Sequence, residues 1–434
     1  MLPTHMKQAT QNLSFLGRLL VAEREADLWE EETKTLPWPL ARQRRLYRAF
    51  ADQFLRPRAL EVDQHLAEFD PWPLWHEAAL RGFQTEFLPR PFGTASLLNL
   101  ASMPSPLFAT ALKAEEFCAA CGGLALMLLA HDLGAAPLLL SGTWTGFNWL
   151  RKMYARIRAG EKVAAAFAIT EPGAGSDVEE TEGAARARLV SRARKTAGGY
   201  LLNGRKCFIS DGGIASYITF FACLDKEGAE SWTCFLVESG MKGFAVGRRE
   251  KKMGQKAADA SELILEDVLV PEDHRIGPER SGWALNRNTL NYSRPAVGAI
   301  AVGIARGALE RCIEFCRTTR LGNKRLADYQ EVQLELAEMT IQLTAARALV
   351  WHCGRYRFPA QGMSAMAKCF GGDTAFAICN KAMELMGDHG YLHGHGVEKA
   401  LRDCRLNQIY EGTNQINRLA LIEDAWETDF AKAS

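Results

Sequence analysis

The chain has 434 residues, 47% of them hydrophobic and 24% charged, with a formal net charge of +1. That describes a globular protein too long for a single core, so two or three domains are expected. A balance so near neutral excludes a global field for nucleic acid or an anionic membrane, and eleven cysteines scattered through apolar stretches fit a reducing cytosol rather than a disulfide framework.

In chain order, MLPTHMKQATQNLSFLGRLL contains no continuous apolar core, so no signal peptide is expected. LARQRRLYRAFADQFLRPRALEVDQHLAEF (40–69) reads as helix, with arginines on one side and Leu, Phe and Val on the other. Its basic run is expected to be a solvated face. CGGLALMLLAHDLGAAPLLLSG, Cys121 to Gly142, is long enough to span a bilayer, but His131 and Asp132 fall at its centre and Pro137 follows. An Asp at mid-bilayer costs about 3 kcal/mol, so two buried helices joined near HDLG are expected, and no membrane span. Cys118 and Cys121 form a CxxC, and Cys312 and Cys316 a CxxxC. Both lie on apolar helical patterns, whereas metal-binding pairs usually come from turns, so burial is favoured over zinc or redox use.

From about 163 to 275 the texture becomes β: YITFFACL (217–224), SWTCFLVE (231–238), FAVGRR (244–249) and SELILEDVLV (261–270) are separated by Gly and polar turns. AFAITEPGAGSDV (166–178) stands at the entrance to this zone. It lacks the third glycine of a dinucleotide fingerprint and no helix pattern follows, so a Rossmann site is poorly supported. Its glycine-permitted turn, with the hydroxyls of Thr170 and Ser176, can hold a polar heterocycle or phosphate, or simply link two domains. In NGRKCFISDGG (203–213), Phe208 and Ser210, two apart on a strand, face the same way. They offer either an aromatic wall beside a donor or a core Phe and an edge Ser.

Beyond about 282 the helical period returns. Val332, Leu336, Met339, Leu343, Ala346 and Val350 form one apolar stripe, the pattern of a helix in a bundle. His389, His393 and His395 cluster in GDHGYLHGHG; a metal is possible, but a chain turn is favoured, with no carboxylate spaced to complete a site. Near the end, IYEGTNQIN (409–417) interrupts two helical stretches. Gly412 breaks the helix and Thr413–Asn414 caps the next one. Glu411 on that break is walled by Ile409, Tyr410 and Ile416; desolvation there raises a carboxyl toward the range of a general base. The alternative is a helix-start charge favoured by the macrodipole.

TEPGAGSDV, LNGRKCFIS, KMGQKAADASELILEDVLVP, LNYSRPAVGAIAVGIARGALE, LADYQEVQLELAEM and LRDCRLNQIYEGTNQINR occur in order between about 45 and 425. Together they resemble the acyl-CoA dehydrogenase family, FAD-dependent α,β-desaturases of acyl thioesters. The resemblance implies an α+β, mainly α fold. Its parts are an N-terminal extension (1–40), a helical domain (41–162), a middle β domain, barrel- or sandwich-like (163–280), and a C-terminal four-helix bundle (281–434). It implies Glu411 as the base that takes the α-proton while hydride leaves for flavin N5, with Arg294 beneath it. The base's backbone N–H and a ribityl hydroxyl would polarise the thioester carbonyl, with Gly412 leaving room for the ligand. Thr170, Gly175, Ser176, Phe208 and Ser210 match the flavin cradle, and Thr413 and Gln415 further FAD contacts. Ser176, Tyr410 and Arg294 lie where the family meets acyl-CoA.

The resemblance has departures. No Arg-x-x-Phe-Gly precedes LADYQ, so Arg317 or Arg320 would hold the FAD pyrophosphate of a neighbouring subunit. Phe208 stands where the family has Trp, Gly387–Asp388 where it has Gly-Gly, and PRPFG (89–93) where it has an acidic segment. The implied protein is a cytoplasmic homotetramer, a dimer of dimers, passing electrons to an electron-transfer flavoprotein. Rival readings are an acyl-CoA oxidase or flavin monooxygenase of the same fold, and, more remotely, a non-enzymatic nucleic-acid-binding relative, against which the near-neutral charge argues. The acyl group stays open.

Overall fold

The computed structural model describes residues 14, 27–97, 106–179, 181–356 and 358–433. Most of the expected N-terminal extension therefore lies outside the described residues. Among the described residues, seven helices come first: α1 (Leu28–Lys34), α2 (Trp38–Phe50), α3 (Ala59–Gln64), α4 (Trp72–Leu80), α5 (Pro106–Ala120), α6 (Gly122–Leu140) and α7 (Trp144–Arg158). The expected helix over 40–69 starts as α2, loosens into a π-turn at Ala51–Leu55 and a 3₁₀ turn at Arg56–Arg58, and resumes as α3. Leu40, Ala41, Tyr47 and Phe50 bury the apolar side. The basic face is not wholly solvated: Arg44 is fully buried against Glu115 (3.2 Å) and Glu116 (2.7 Å) of α5. Both acids also face buried arginines of the C-terminal helices. Arg306 lies 2.7 Å from Glu116, and Arg347 lies 3.0 Å from Glu115. This charge cluster joins the two helical zones.

The two helices expected around HDLG are one. α6 runs unbroken from Gly122 to Leu140, with Pro137 in its last turn. It is long and apolar enough to cross a membrane, yet 83% of its most apolar window is buried inside the fold. Its polar centre is satisfied there. His131 Nδ1 faces the Ala165 N–H at 3.0 Å and its Nε2 the Gln84 carbonyl at 3.0 Å; burial pushes its pKa down to about 4. Asp132 pairs with Lys113 at 2.8 Å. The polar pair that suggested a loop is therefore internal pairing within one helix.

Strands β1 (Ala165–Ala168), β2 (Arg192–Thr196), β3 (Gly199–Ser210), β4 (Tyr217–Leu224), β5 (Thr233–Glu238), β6 (Phe244–Arg249), β7 (Ala260–Val270) and β8 (Arg275–Ile276) form one sheet. Its order is β6-β7-β3-β2-β4-β5-β8, with β1 parallel to β4. Alternation divides β4 between two cores: Ile218, Phe220 and Ala222 pack with Leu202 and Phe235, while Tyr217, Phe221 and Cys223 face α6 and α7 residues such as Leu138 and Trp149. That two-sided burial is why YITFFACL is nearly continuous in apolar residues. A short helix, α8 (Thr181–Arg186), follows the TEPGAGSDV turn, where no helix pattern was read. At six residues it is too short to show a period.

Among the described residues, six helices follow the sheet: α9 (Gly282–Thr318), α10 (Gln330–Gly354), α11 (Gln361–Met386), α12 (Asp388–Tyr391), α13 (Val397–Arg405) and α14 (Asn414–Ala433). The four long ones form the bundle. The expected stripe on α10 faces its core: Met339, Leu343, Ala346 and Val350 are buried, with Val332 and Leu336 packed alongside. All eleven cysteines are buried and free.

Candidate active site

A cavity of about 650 Å³ lies where α6, the edges of β3 and β7, α9 and the loop before α14 converge. Most of its lining is apolar, from Leu126, Leu129, Ala130 and Leu133 of α6 and Leu290, Val297 and Ile300 of α9. Thr170, Gly175, Ser176, Phe208, Ser210, Tyr410, Glu411 and Thr413 share its wall. Residues from segments more than 200 positions apart thus meet in one chamber. Gln415, Arg317 and Arg320 lie outside it and are exposed.

Glu411 sits on the expected helix break, in left-handed backbone (φ +55°), followed by Gly412 at φ +78°. For a non-glycine residue that conformation costs about 1 kcal/mol or more and must be held by its surroundings. The hold is dense. Asn417 Nδ2 donates to the carbonyls of Glu411 (3.2 Å), Gly412 (2.9 Å) and Thr413 (3.0 Å), and Lys368 Nζ donates to the Gly412 carbonyl at 2.6 Å. Thr413 Oγ1 accepts from the Ile416 N–H at 3.2 Å, the cap read from the sequence. Thr413 N–H donates to Ser176 Oγ at 3.2 Å, which ties the glycine turn of the β domain to this loop. The Glu411 N–H makes no hydrogen bond among the described residues.

The Glu411 carboxyl accepts a hydrogen bond from Ser293 Oγ at 2.5 Å. Burial, reinforced by the Glu179 carboxylate, raises its pKa to about 7, against the pull of Ser293, Arg294 and Lys368. Arg294, fully buried, sits behind the loop: its Nε donates to the Glu411 carbonyl at 3.4 Å and its Nη2 to Glu179 Oε2 at 3.0 Å. Sequence reasoning missed Glu179. In SDVEE it reads as an ordinary exposed acid, and only the fold turns it onto the cavity wall. Gly412 also has a different reason than expected. The space above it is filled: a Cβ there would stand 2.1 Å from Glu179 Oε2, so glycine accommodates that carboxylate and the positive φ.

Phe208 is not a core residue. A bulge between Lys206 and Ile209 breaks the pairing of β3 with β7, and Phe208 takes φ +58° and turns its ring out, 60% exposed, onto the cavity wall. Ser210 joins it on that wall, by the bulge rather than by simple alternation. Gly175 has nothing within 4 Å of a would-be Cβ, so its turn leaves space for a ligand, while its own N–H donates to Asp177 Oδ1 at 2.6 Å.

The histidine cluster differs from expectation. Carboxylates do converge on it: Asp63, His393 and Glu398 come together. Their charge is already met by Arg402, 2.7 Å from Asp63 and 2.6 Å from Glu398, and the group is an ion-pair network tying α3 to α13.

The chain matches three family models: "Acyl-CoA dehydrogenase, N-terminal domain" over residues 41–153, "middle domain" over 166–268 and "C-terminal domain" over 280–425. It is 34% identical over 421 residues to a cyclohex-1-ene-1-carbonyl-CoA dehydrogenase of Syntrophus aciditrophicus, covering 94% of this chain and 95% of that protein. Among solved structures, a chain from work on the electron transferring flavoprotein of Acidaminococcus fermentans superposes with a TM-score of 0.81 at 30% identity, covering 90% of this chain and 98% of that one. An acyl-CoA dehydrogenase complexed with FAD from Bacillus anthracis gives a TM-score of 0.80 at 26% identity, over 92% and 69% of the two chains.

Proposed function

The chain belongs to the acyl-CoA dehydrogenase family, and we propose that it removes two hydrogens across the Cα–Cβ bond of an acyl-CoA thioester with Glu411 as the base. The observation that carries this reading is the state of Glu411: a carboxyl with pKa about 7, on a strained loop, opening into an apolar chamber. An α-proton next to a thioester is a very weak acid. Its removal needs a desolvated base and a donor aimed at the carbonyl oxygen as charge develops there.

FAD, the family's cofactor, supplies the hydride acceptor for the β-carbon when bound. The wall fits such a group: the outward ring of Phe208 gives a flat face, the hydroxyls of Thr170 and Ser210 give polar contacts, and the turn at Gly175 leaves space beside it. Thr413 lies on the same wall, and Gln415, exposed at the start of α14, is assigned to the outer part of the cofactor. Ser176 both orders the Glu411 loop and borders the substrate. Tyr410 packs beside the base, its hydroxyl donating to Asn407 Oδ1 at 3.0 Å. The unused Glu411 N–H is the donor for the thioester carbonyl, and Arg294 keeps that peptide in place from behind. Ser293 holds the carboxyl until substrate arrives; the proton from Cα then goes to a Glu411 oxygen, and the surrounding apolar wall excludes water.

We assign the electrons to an electron-transfer flavoprotein and the protein to the cytoplasm, consistent with eleven buried free thiols. The test is anaerobic mixing of the FAD-loaded protein with an acyl-CoA panel, beginning with cyclohex-1-ene-1-carbonyl-CoA, while following the flavin absorbance. Bleaching is expected with at least one member. A yellow protein that none of them bleaches would sink the dehydrogenase reading, and fast oxygen uptake during turnover would move it to the oxidase or monooxygenase reading.

A further inference from the structure

The reacting centre holds a second carboxylate that the proton transfer itself does not use. Glu179, on the 3₁₀ turn Ser176–Glu179, is 8% exposed and lines the cavity. Its Oε2 accepts from Arg294 Nη2 at 3.0 Å, and the same arginine reaches the Glu411 carbonyl at 3.4 Å. Oε2 also presses on the peptide after the base, since a Cβ on Gly412 would lie 2.1 Å from it. A buried carboxylate is normally kept where a specific partner or function offsets its desolvation.

Resting on the reading of Glu411 as the base, we propose that Glu179 is a positioning residue for the reaction. It anchors Arg294 beneath the Glu411 carbonyl and sets a second carboxylate beside the Glu411 carboxyl, one whose ionisation burial opposes and the Arg294 ion pair supports. The anchoring keeps the Glu411–Gly412 peptide in its left-handed turn, with the N–H directed to the chamber. The charge makes Glu411 a stronger proton acceptor. Among the described residues, the charged and hydroxyl groups facing this pair are Arg294 and Ser293 from α9, Lys368 from α11, Tyr410 from the Glu411 loop and Asp177 from the same turn as Glu179. Lys368 and Arg294 draw Glu411 down and Glu179 holds it up. Burial, the larger upward influence, stays; neutralising Glu179 removes its added push and leaves Arg294 without its counter-charge, so both consequences have one sign.

The test compares wild type with Glu179→Gln in two readouts. The first is an infrared titration of the ligand-free protein, with the Glu411 band identified by subtraction of Glu411→Gln. The expected result is a Glu411 midpoint lowered by about one pH unit or more, a roughly tenfold loss of proton affinity. The second is anaerobic flavin reduction by cyclohex-1-ene-1-carbonyl-CoA across pH 5–9. The acid limb should move to lower pH while the plateau falls, because a weaker base titrates earlier and abstracts more slowly. Glu179→Asp should restore most of the wild-type midpoint. Should the Gln variant fail to fold, Glu179→Ser, which admits water where the carboxylate stood, carries the same expectation. A midpoint unchanged in the neutral variant overturns the proposal, even if melting temperature or FAD content drops. If no acyl-CoA reduces the wild-type flavin, the dehydrogenase reading fails, while the titration still decides the Glu179–Glu411 relation.

Discussion

Glu411 unites the chemistry and the strain of the site. Its backbone lies at φ +55°, and its carboxyl titrates near 7 because burial opposes ionisation. A base must be deprotonated to act, so kcat/KM, which reports the free enzyme, should rise with pH and level off above a midpoint near 7. Glu411→Gln keeps the shape and the Ser293 contact but cannot take a proton. We expect it to bind FAD and acyl-CoA while slowing flavin reduction by at least ~10²-fold, checked by stopped-flow bleaching. Reduction at the wild-type rate would mean that another group is the base. The helix break that carries Glu411 could be read from the sequence because Gly412 and Thr413 are local signals for a break and a cap. Glu179 could not: nothing in SDVEE distinguishes a solvated acid from one folded against a loop more than 230 residues away. Gly412 was read as room for a ligand, yet the neighbour that demands glycine is Glu179, which the local sequence does not name.

At the scale of elements, the bulge in β3 decides whether Phe208 belongs to the core or to the cavity. Strand alternation is legible in sequence, but a bulge depends on the pairing with β7 and therefore is not. Because the ring is 60% exposed, Phe208→Ala should leave the apo protein's melting temperature nearly unchanged. It should weaken FAD retention by about fivefold to tenfold, the scale of roughly 1 kcal/mol of ring contact; equilibrium dialysis against FAD measures this. Arg44 gives the opposite case. Its place in a basic run suggested a solvated face, but α2 presents it to Glu115 and Glu116, which α5 buries. Removing one partner strands charge in the core, so Arg44→Ala should lower unfolding stability by about 3 kcal/mol or more. Urea denaturation with an unchanged m-value would check this, and a loss under about 1 kcal/mol would mean that Arg306 and Arg347 carry the acids without it. α6 teaches the same lesson. His131 and Asp132 suggested a break only because Lys113, Gln84 and Ala165, which satisfy them, lie far away in sequence. Periodicity, by contrast, identified the α10 stripe and the three zones, since those depend on neighbours three or four residues apart.

For the whole molecule, the bundle leaves one face unfinished. α10, α11 and α14 meet in an open groove of about 610 Å³ bordered by Leu349, Met366, Phe370 and Leu421. Leu334, Ile341, Leu419 and Trp426, on the same helices, are each more than half exposed. Exposed large apolar side chains on three adjoining helices fit a subunit interface better than open water, and we expect a homotetramer, a dimer of dimers, built partly on them. Cofactor sharing across a boundary is argued from distance. Arg317 lies 24 residues beyond Ser293 on the continuous helix α9, about 36 Å along its axis, too far to serve the base end of its own cavity. The Arg320 side chain already donates to the Asn323 carbonyl within its hairpin, whereas the Arg317 side chain makes no hydrogen bond among the described residues. Arg317 is therefore the residue expected to reach a neighbour's FAD. Phe370→Asp should reduce the assembly to smaller species in sedimentation velocity. Arg317→Ala should release FAD and loosen assembly together, while Arg320→Ala should do neither. A wild-type protein that sediments as a monomer with a full complement of FAD would refute both the interface and the shared site.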